Sequence, residues 1–152
     1  YTTLFRSNLA ETFACIASVG TSGGHMLGQA LTAAMQSNIN DPGGCNAGFL
    51  RKDALLMVTL ISTSGDTKAG GSKGTPAEWA QAVIDAKRGD DRSVVMLNIG
   101  YLECSDWDRL CQLAKLFPFH HLESVLVADY GPAFVEAAGL VETACAGFVP
   151  PG

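Results

Sequence analysis

The chain has few charged residues and no long apolar run. Of its 152 residues, 16% are charged and 47% are hydrophobic, whereas soluble domains average roughly 25% charged residues. Disordered chains show the opposite balance, so intrinsic disorder is not expected. The longest apolar stretch, residues 54–61, is about half of the roughly 20 residues that a transmembrane helix needs. We therefore predict no membrane span, and the first residues do not read as a secretory leader.

Clusters of basic residues are scarce as well. Ten lysines and arginines stand against fifteen aspartates and glutamates, which makes the formal net charge −5. No basic cluster is longer than the pair Lys87 and Arg88. Because proteins that bind nucleic acids carry a basic patch or stripe, we predict no nucleic-acid partner.

The first seven residues, Tyr1 to Ser7, resemble the in-frame translation of a sequencing adapter. We predict that residues 1–7 are not native and that residues 8–152 form one partial domain. The gene would then have been read from a fragment, with natural sequence missing upstream of Asn8. Such segments are set aside when a fold is inferred.

Apolar residues recur with two alternating periods along the rest of the chain. This alternation predicts an α/β fold with a mainly parallel sheet. The predicted strands are 54–62, 93–99 and 124–128, and the predicted helices begin near Leu9, Met26, Thr75, Ser105 and Pro132.

Four of these segments carry sharper expectations. The sequence Thr-Pro-Ala-Glu at 75–78 predicts a capping box, and the stretch 54–62 predicts a strand buried on both faces. Segment 64–74 has no apolar period and is expected to be a surface loop. The last helix is expected to present four residues on one side, namely Phe134, Ala138, Val141 and Cys145.

Five stretches together resemble a family of secreted bacterial proteins with a von Willebrand factor type A-like (vWA-like) domain. In chain order they are Cys15 with Val19-Gly20-Thr21, Asn46-Ala-Gly-Phe-Leu-Arg-Lys-Asp-Ala-Leu-Leu56, Gly74-Thr-Pro-Ala-Glu-Trp79, Asp129-Tyr-Gly-Pro-Ala-Phe134 and Cys145-Ala-Gly-Phe-Val-Pro-Pro151. The resemblance implies a Rossmann-like, vWA-type three-layer sandwich whose first strands are missing. It also implies a ligand site at the carboxyl ends of the strands.

In the wider family this edge can hold a divalent cation at the metal-ion-dependent adhesion site. Its parts are an Asp-x-Ser-x-Ser sequence, which this chain lacks, a loop threonine and an aspartate after the central strand. The resemblance implies Thr21 for the threonine, and it leaves Asp66 as the nearby carboxylate because Thr63 stands at the usual aspartate position. We therefore predict a degenerate or incomplete site with Thr21 and Asp66 as the candidate metal ligands.

The predicted metal is Mg²⁺ or Ca²⁺ in the full-length protein, because both prefer oxygen ligands, with no cofactor in this fragment. In the alternative interpretation, Thr21 caps a helix and Asp66 forms a turn.

The resemblance points to an exported protein, secreted or in the cell envelope, where disulfides persist. With five cysteines in the chain, we predict the pairs Cys15–Cys45 and Cys104–Cys111, although four cysteines allow three connectivities. Cys145 is then left over. In the alternative, all five cysteines are reduced core residues.

Two functions remain open at this point. The first is a non-enzymatic domain that binds a protein or cell-surface ligand at the upper edge of its sheet. The alternative is a hydrolase-type enzyme on the same scaffold, using Cys104 or Asp66 with His120 or His121, although nothing in the sequence orients either histidine. A zinc set of Cys104, Cys111 and the two histidines is disfavoured, because structural sites space their cysteines more closely.

Missing first strands would leave 54–62 as an unpaired, strongly apolar edge. Exposed edges of this kind promote aggregation. We therefore expect the polypeptide alone to be poorly soluble, and a cooperatively melting monomer would refute the truncation.

Overall fold

The computed structural model describes residues 25–44, 46–51 and 53–149. Within them, strands and helices alternate along the chain. The helices are α1 (Leu27–Ala34), α2 (Ser37–Asn40), α3 (Pro76–Ala86), α4 (Arg109–Ala114) and α5 (Gly131–Gly147), the strands are β1 (Leu56–Ile61), β2 (Val94–Gly100) and β3 (Phe119–Ser124), and a short 3₁₀ turn (Asp91–Ser93) precedes β2.

The three strands form one open parallel sheet in the order β1-β2-β3. The register places Leu56 opposite Val94, and Val95 opposite Phe119. Helix α3 connects β1 to β2 and α4 connects β2 to β3, as parallel neighbours require. The predicted α/β class with a parallel sheet is confirmed, and the architecture is compatible with a Rossmann-like fold.

Strand β2 is the centre of the sheet and is buried along its whole length. Val94 and Met96 point into an apolar layer shared with α1, α3 and α4. Leu97 and Ile99 point to the other face, where α5 packs. The described elements therefore form three layers, with three helices on one face of the sheet and α5 on the other. Among the described helices, none is both long and apolar enough to cross a membrane.

Helix α3 begins as its sequence predicts. The Thr75 hydroxyl accepts the Glu78 N–H at 3.3 Å, and the Glu78 carboxylate accepts the Thr75 N–H at 2.7 Å. This capping box satisfies donors that the first helical turn leaves free. Trp79 and Val83 follow it into the core.

The third strand lies earlier than predicted. β3 ends at Ser124, so only the first residue of the predicted strand 124–128 belongs to it, and residues 125–128 form the turn beyond it. Among the described strands, β3 pairs only with β2, and its side chains are half-buried. A half-buried strand tolerates histidine and glutamate, so its sequence lacks the apolar run of a central strand.

Strand β1 is buried on one face only, contrary to the prediction for 54–62. Val58 and Leu60 are buried, whereas Met57 and Ile61 are 41% and 50% exposed. The reason is the position of α5, which packs on β2 and β3 and leaves Met57 and Ile61 of β1 exposed.

The last two helices also differ from the predictions. Helix α4 is capped by Asp108, whose carboxylate accepts the Cys111 N–H at 3.2 Å, and not by Ser105. In α5 the buried side is one position away from the predicted one, because small side chains let the helix lie close to the sheet. Its buried residues are Ala133, Ala137 and Ala144, while Phe134, Ala138 and Cys145 are exposed.

Candidate functional site

The loops that follow the three strands meet at the carboxyl edge of the sheet, where open α/β sheets bind their ligands. They comprise residues 62–75 after β1, 101–108 after β2 and 125–130 after β3. The beginning of α1 joins them, because its first turn is bonded to the loop after β1.

Asp66 is fully buried beneath this edge and accepts four hydrogen bonds. One carboxylate oxygen accepts the Gly28 N–H at 2.8 Å and the Ser72 hydroxyl, and the other accepts the Ser72 N–H at 2.6 Å and the Arg109 guanidinium at 3.1 Å. The segment 64–74 is therefore a loop, as predicted, but two of its side chains are buried because it folds under the first turn of α1.

Arg109, the ion-pair partner of Asp66, is itself only 5% exposed. Its guanidinium lies 4.6 Å from the ring of Trp79, within range of a cation–π contact. Besides the carboxylate, it donates to four backbone carbonyls at 2.7–2.8 Å, those of Asp66, Thr67, Ser72 and Gly74. One buried side chain thus ties the whole loop after β1 to the start of α4.

Two glycines allow the close approaches that this edge requires. A side chain at Gly28 would collide with the ring of Trp79, and one at Gly65 would collide with the carbonyl of Trp107. Glycine is the residue that permits such contact, since it lacks a Cβ. The loops after β1 and β2 are consequently packed backbone against backbone.

Asp66 does not present an open coordination position. Each of its oxygens already accepts two hydrogen bonds, so a cation would have to displace at least one of these donors. Within the described ranges no group of three His, Cys, Asp or Glu side chains is placed to hold a metal. Thr21, the other predicted ligand, lies outside the described residues, and the metal role of the pair stays a prediction.

The sulfurs of Cys104 and Cys111 lie at disulfide distance, and the two Cα atoms are 4.8 Å apart. This pair, predicted from the sequence, joins the loop after β2 to α4. Cys145 is exposed on α5 and belongs to no disulfide among the described residues. Cys15 and Cys45 lie outside the described residues, so their pairing stays a prediction.

The residues of the enzyme hypothesis are not brought together. His120 and His121 lie at the amino end of β3, and the His120 Nδ1 is 2.7 Å from the Phe117 carbonyl. Cys104 and Asp66 lie beyond the carboxyl ends of β2 and β1. In a parallel sheet these positions are at opposite edges, so no described nucleophile and histidine of this set form a pair.

Beneath the edge, two polar side chains are buried without full pairing. Asp108 has one carboxylate oxygen, and Asn98 both polar atoms of its amide, without a hydrogen-bond partner among the described residues. Burial raises the pKa of the Asp108 carboxyl, Glu103 adds to the rise, and the hydrogen bond from the Cys111 N–H opposes it.

Large apolar side chains are exposed on the loops of this edge. Trp107 is 70% exposed and Leu126 is 78% exposed. We call the following set the carboxyl rim: Met26, Tyr101, Leu102, Trp107 and Leu126. None of these residues was predicted to bind a ligand, and Leu126 and Met26 were expected in a strand and at the start of a helix. For Tyr101 and Leu102, the available signal was their position between a predicted strand and a predicted helix, in a segment without helical or strand period.

Arg109 was also missed, although its position carries a signal. A cation in the first turn of a helix opposes the helix dipole, so an arginine there indicates a tertiary partner.

Comparison with protein-family models, with curated proteins and with solved structures finds no match.

Proposed function

We propose that this domain is a non-enzymatic binding module that contacts a protein ligand through the carboxyl rim. The observation that carries the proposal is the exposure of Trp107 and Leu126 on the loops of this edge. Exposed apolar clusters of this kind mark interaction sites, and tryptophan is enriched among the residues that dominate binding energy.

Rigidity of the loops supports this role. Arg109 and Asp66 hold the loop after β1, and the Cys104–Cys111 pair holds the loop after β2. The Lys68 N–H donates to the Asp106 carbonyl at 3.1 Å, which joins the two loops. Side chains on loops that are already ordered lose less entropy on binding, so more of the contact energy appears as affinity.

The resemblance to vWA-like domains supports the same edge as the binding surface and an exported location. The proposed recognition is apolar and does not pass through a cation, because the oxygens of Asp66 are engaged. On this view the adhesion site of the wider family is degenerate in this chain, and ligand retention is insensitive to chelators.

The test uses beads coated with the protein and a panel of defined, purified extracellular proteins on a surface. We expect retention on at least one protein, unchanged by EDTA and at least about tenfold lower for Trp107→Ala with Leu126→Ala. The matched control is Phe49→Ala, which removes a side chain that is 76% exposed and lies outside the rim. Absence of retention on the whole panel, or equal loss in the control, would contradict the proposal.

A further inference from the structure

A cavity lies at the amino edge of the sheet, away from the carboxyl rim. It has a volume of about 570 Å³ and opens between the segment before β1 and the end of α3. This is the size of a small-molecule pocket. Its lining combines four charged side chains with apolar residues; the charged ones are Asp41, Arg51, Asp53 and Arg88. We call this cavity the amino-edge pocket.

The four charged side chains of the amino-edge pocket are exposed. None of the four forms an ion pair or a side-chain hydrogen bond with another described residue, whereas Asp66 and Arg109 at the other edge are saturated. Guanidinium and carboxylate groups that face a cavity without partners are free to bind a charged ligand.

A buried lysine holds the wall of the pocket. Lys87 is 3% exposed, and its ammonium donates to the carbonyls of Arg51, at 2.6 Å, and of Ala54. Burial lowers the pKa of Lys87, an effect that Asp53 and Asp90 oppose. A buried cation that bonds these carbonyls fixes the backbone from which Arg51 and Asp53 project.

Arg88 occupies a conformation that favours glycine. Its φ is +59° at the end of α3, where its N–H bonds the Asp85 carbonyl at 3.0 Å and the Gly89 N–H bonds the Ile84 carbonyl at 2.9 Å. This is a Schellman motif, whose left-handed position is usually glycine.

We propose that the amino-edge pocket binds an apolar α-amino acid in its zwitterionic form. Arg51 and Arg88 bind the carboxylate, Asp41 and Asp53 bind the ammonium group, and the apolar lining contacts the side chain. The two aspartates would repel a phosphate or a dicarboxylate, and the two guanidinium groups would repel a diamine. A zwitterion satisfies both pairs. This site is independent of the carboxyl rim.

Calorimetric titration of the folded chain with L-leucine and L-phenylalanine tests the proposal. N-acetyl-L-leucine, which lacks the ammonium, and L-leucinamide, which lacks the carboxylate, are the matched ligands. We expect saturable binding of at least one amino acid, and an affinity at least about tenfold lower for each modified leucine. Binding of neither amino acid, or equal binding of the modified leucines, would overturn it.

Two variants locate the site. Arg88→Gly should weaken binding at least about tenfold while raising Tm, because glycine relieves the left-handed strain. Asp53→Asn should weaken it without abolishing folding. Glu142→Gln, an exposed change on α5, is the control and should bind as the native chain does. Unchanged affinity in both pocket variants would place the ligand elsewhere and refute the assignment.

Discussion

At the scale of the residue, the ion pair of Asp66 and Arg109 organises the carboxyl edge. Both side chains are buried, and the polar atoms with which they contact the loop after β1 are all hydrogen-bonded. A buried pair is stabilising only when its remaining donors and acceptors are satisfied, and here backbone carbonyls satisfy the guanidinium. The pair therefore acts as a structural clamp on the loops that carry the proposed binding surface.

Removing one partner should be costly. Asp66→Asn leaves the Arg109 cation buried without its counter-charge, so we expect a loss of about 3–5 kcal/mol in the free energy of unfolding. Urea denaturation followed by circular dichroism measures it. The control is Asp106→Asn in the exposed pair with Lys68, whose atoms are 3.9 Å apart, where a change within about 0.5 kcal/mol is expected. Similar losses in both variants would disprove the clamp.

Asp108 gives a prediction about pH. Its pKa is raised above 3.8 by burial, so between 3.8 and the raised value the folded state binds more protons than the unfolded state. Stability from this group is then present at low pH and is lost as pH rises. Asparagine caps a helix as well as aspartate does. Asp108→Asn should therefore gain stability relative to the native chain as pH rises from about 3 to about 7.

Denaturant titrations of both chains at the two pH values check this prediction. Asp106→Asn, at a neighbouring exposed position, should track the native chain. A difference between Asp108→Asn and the native chain that does not vary with pH would show that the Asp108 carboxyl has an ordinary pKa.

At the scale of the element, the loop between β2 and α4 is tied to the helix that follows it. Cys104 and Cys111 span a short segment that includes Trp107 of the carboxyl rim and the cap residue Asp108. Closing such a segment reduces the freedom of the unfolded chain and keeps the rim ordered. The same loop therefore contributes both to the stability of the fold and to the proposed binding surface.

After purification under oxidising conditions, Cys104 and Cys111 should resist alkylation until a reductant is added, and Cys145 should react at once. Mass spectrometry of the alkylated chain reads this directly. The double change Cys104→Ser with Cys111→Ser should lower stability by about 2 kcal/mol, and Cys145→Ser should be neutral. Alkylation of all three cysteines without reductant would contradict the disulfide.

At the scale of the whole molecule, the sheet is unequally covered. β2 is buried from both sides, whereas β1 borders one described strand and exposes Met57 and Ile61 on its outer face. From the sequence we expect 54–62 to form an apolar edge strand that promotes aggregation, and β1 has the exposed apolar side chains that this requires.

Met57→Lys with Ile61→Lys should reduce self-association, since lysine on an edge strand blocks pairing with another chain. Analytical ultracentrifugation over a range of concentrations measures the change. Val135→Lys, an equally drastic change at a site 70% exposed on α5, should leave self-association as it is. If the native chain is monomeric at all concentrations, the expected aggregation is wrong.

The sequence determined the elements whose signals are local. The Thr75–Glu78 capping box, the buried strand β2 and the alternation of strands with helices follow from hydrogen bonds and periodicities within a few residues. The Cys104–Cys111 pair was also predicted, because the two cysteines are only seven positions apart and bracket one short turn and helix.

Only the tertiary structure decided the rest, because it depends on which distant segments meet. The burial of Asp66 and Arg109, which are 43 positions apart, results from loops packing at one edge of the sheet. The half-burial of β3 and the buried alanines of α5 depend on what covers each surface, which no local period encodes. The parallel order of the strands likewise places Cys104 and His120 at opposite edges of the sheet. The residues of the carboxyl rim come from separate loops, and only the folded sheet brings these loops to one edge.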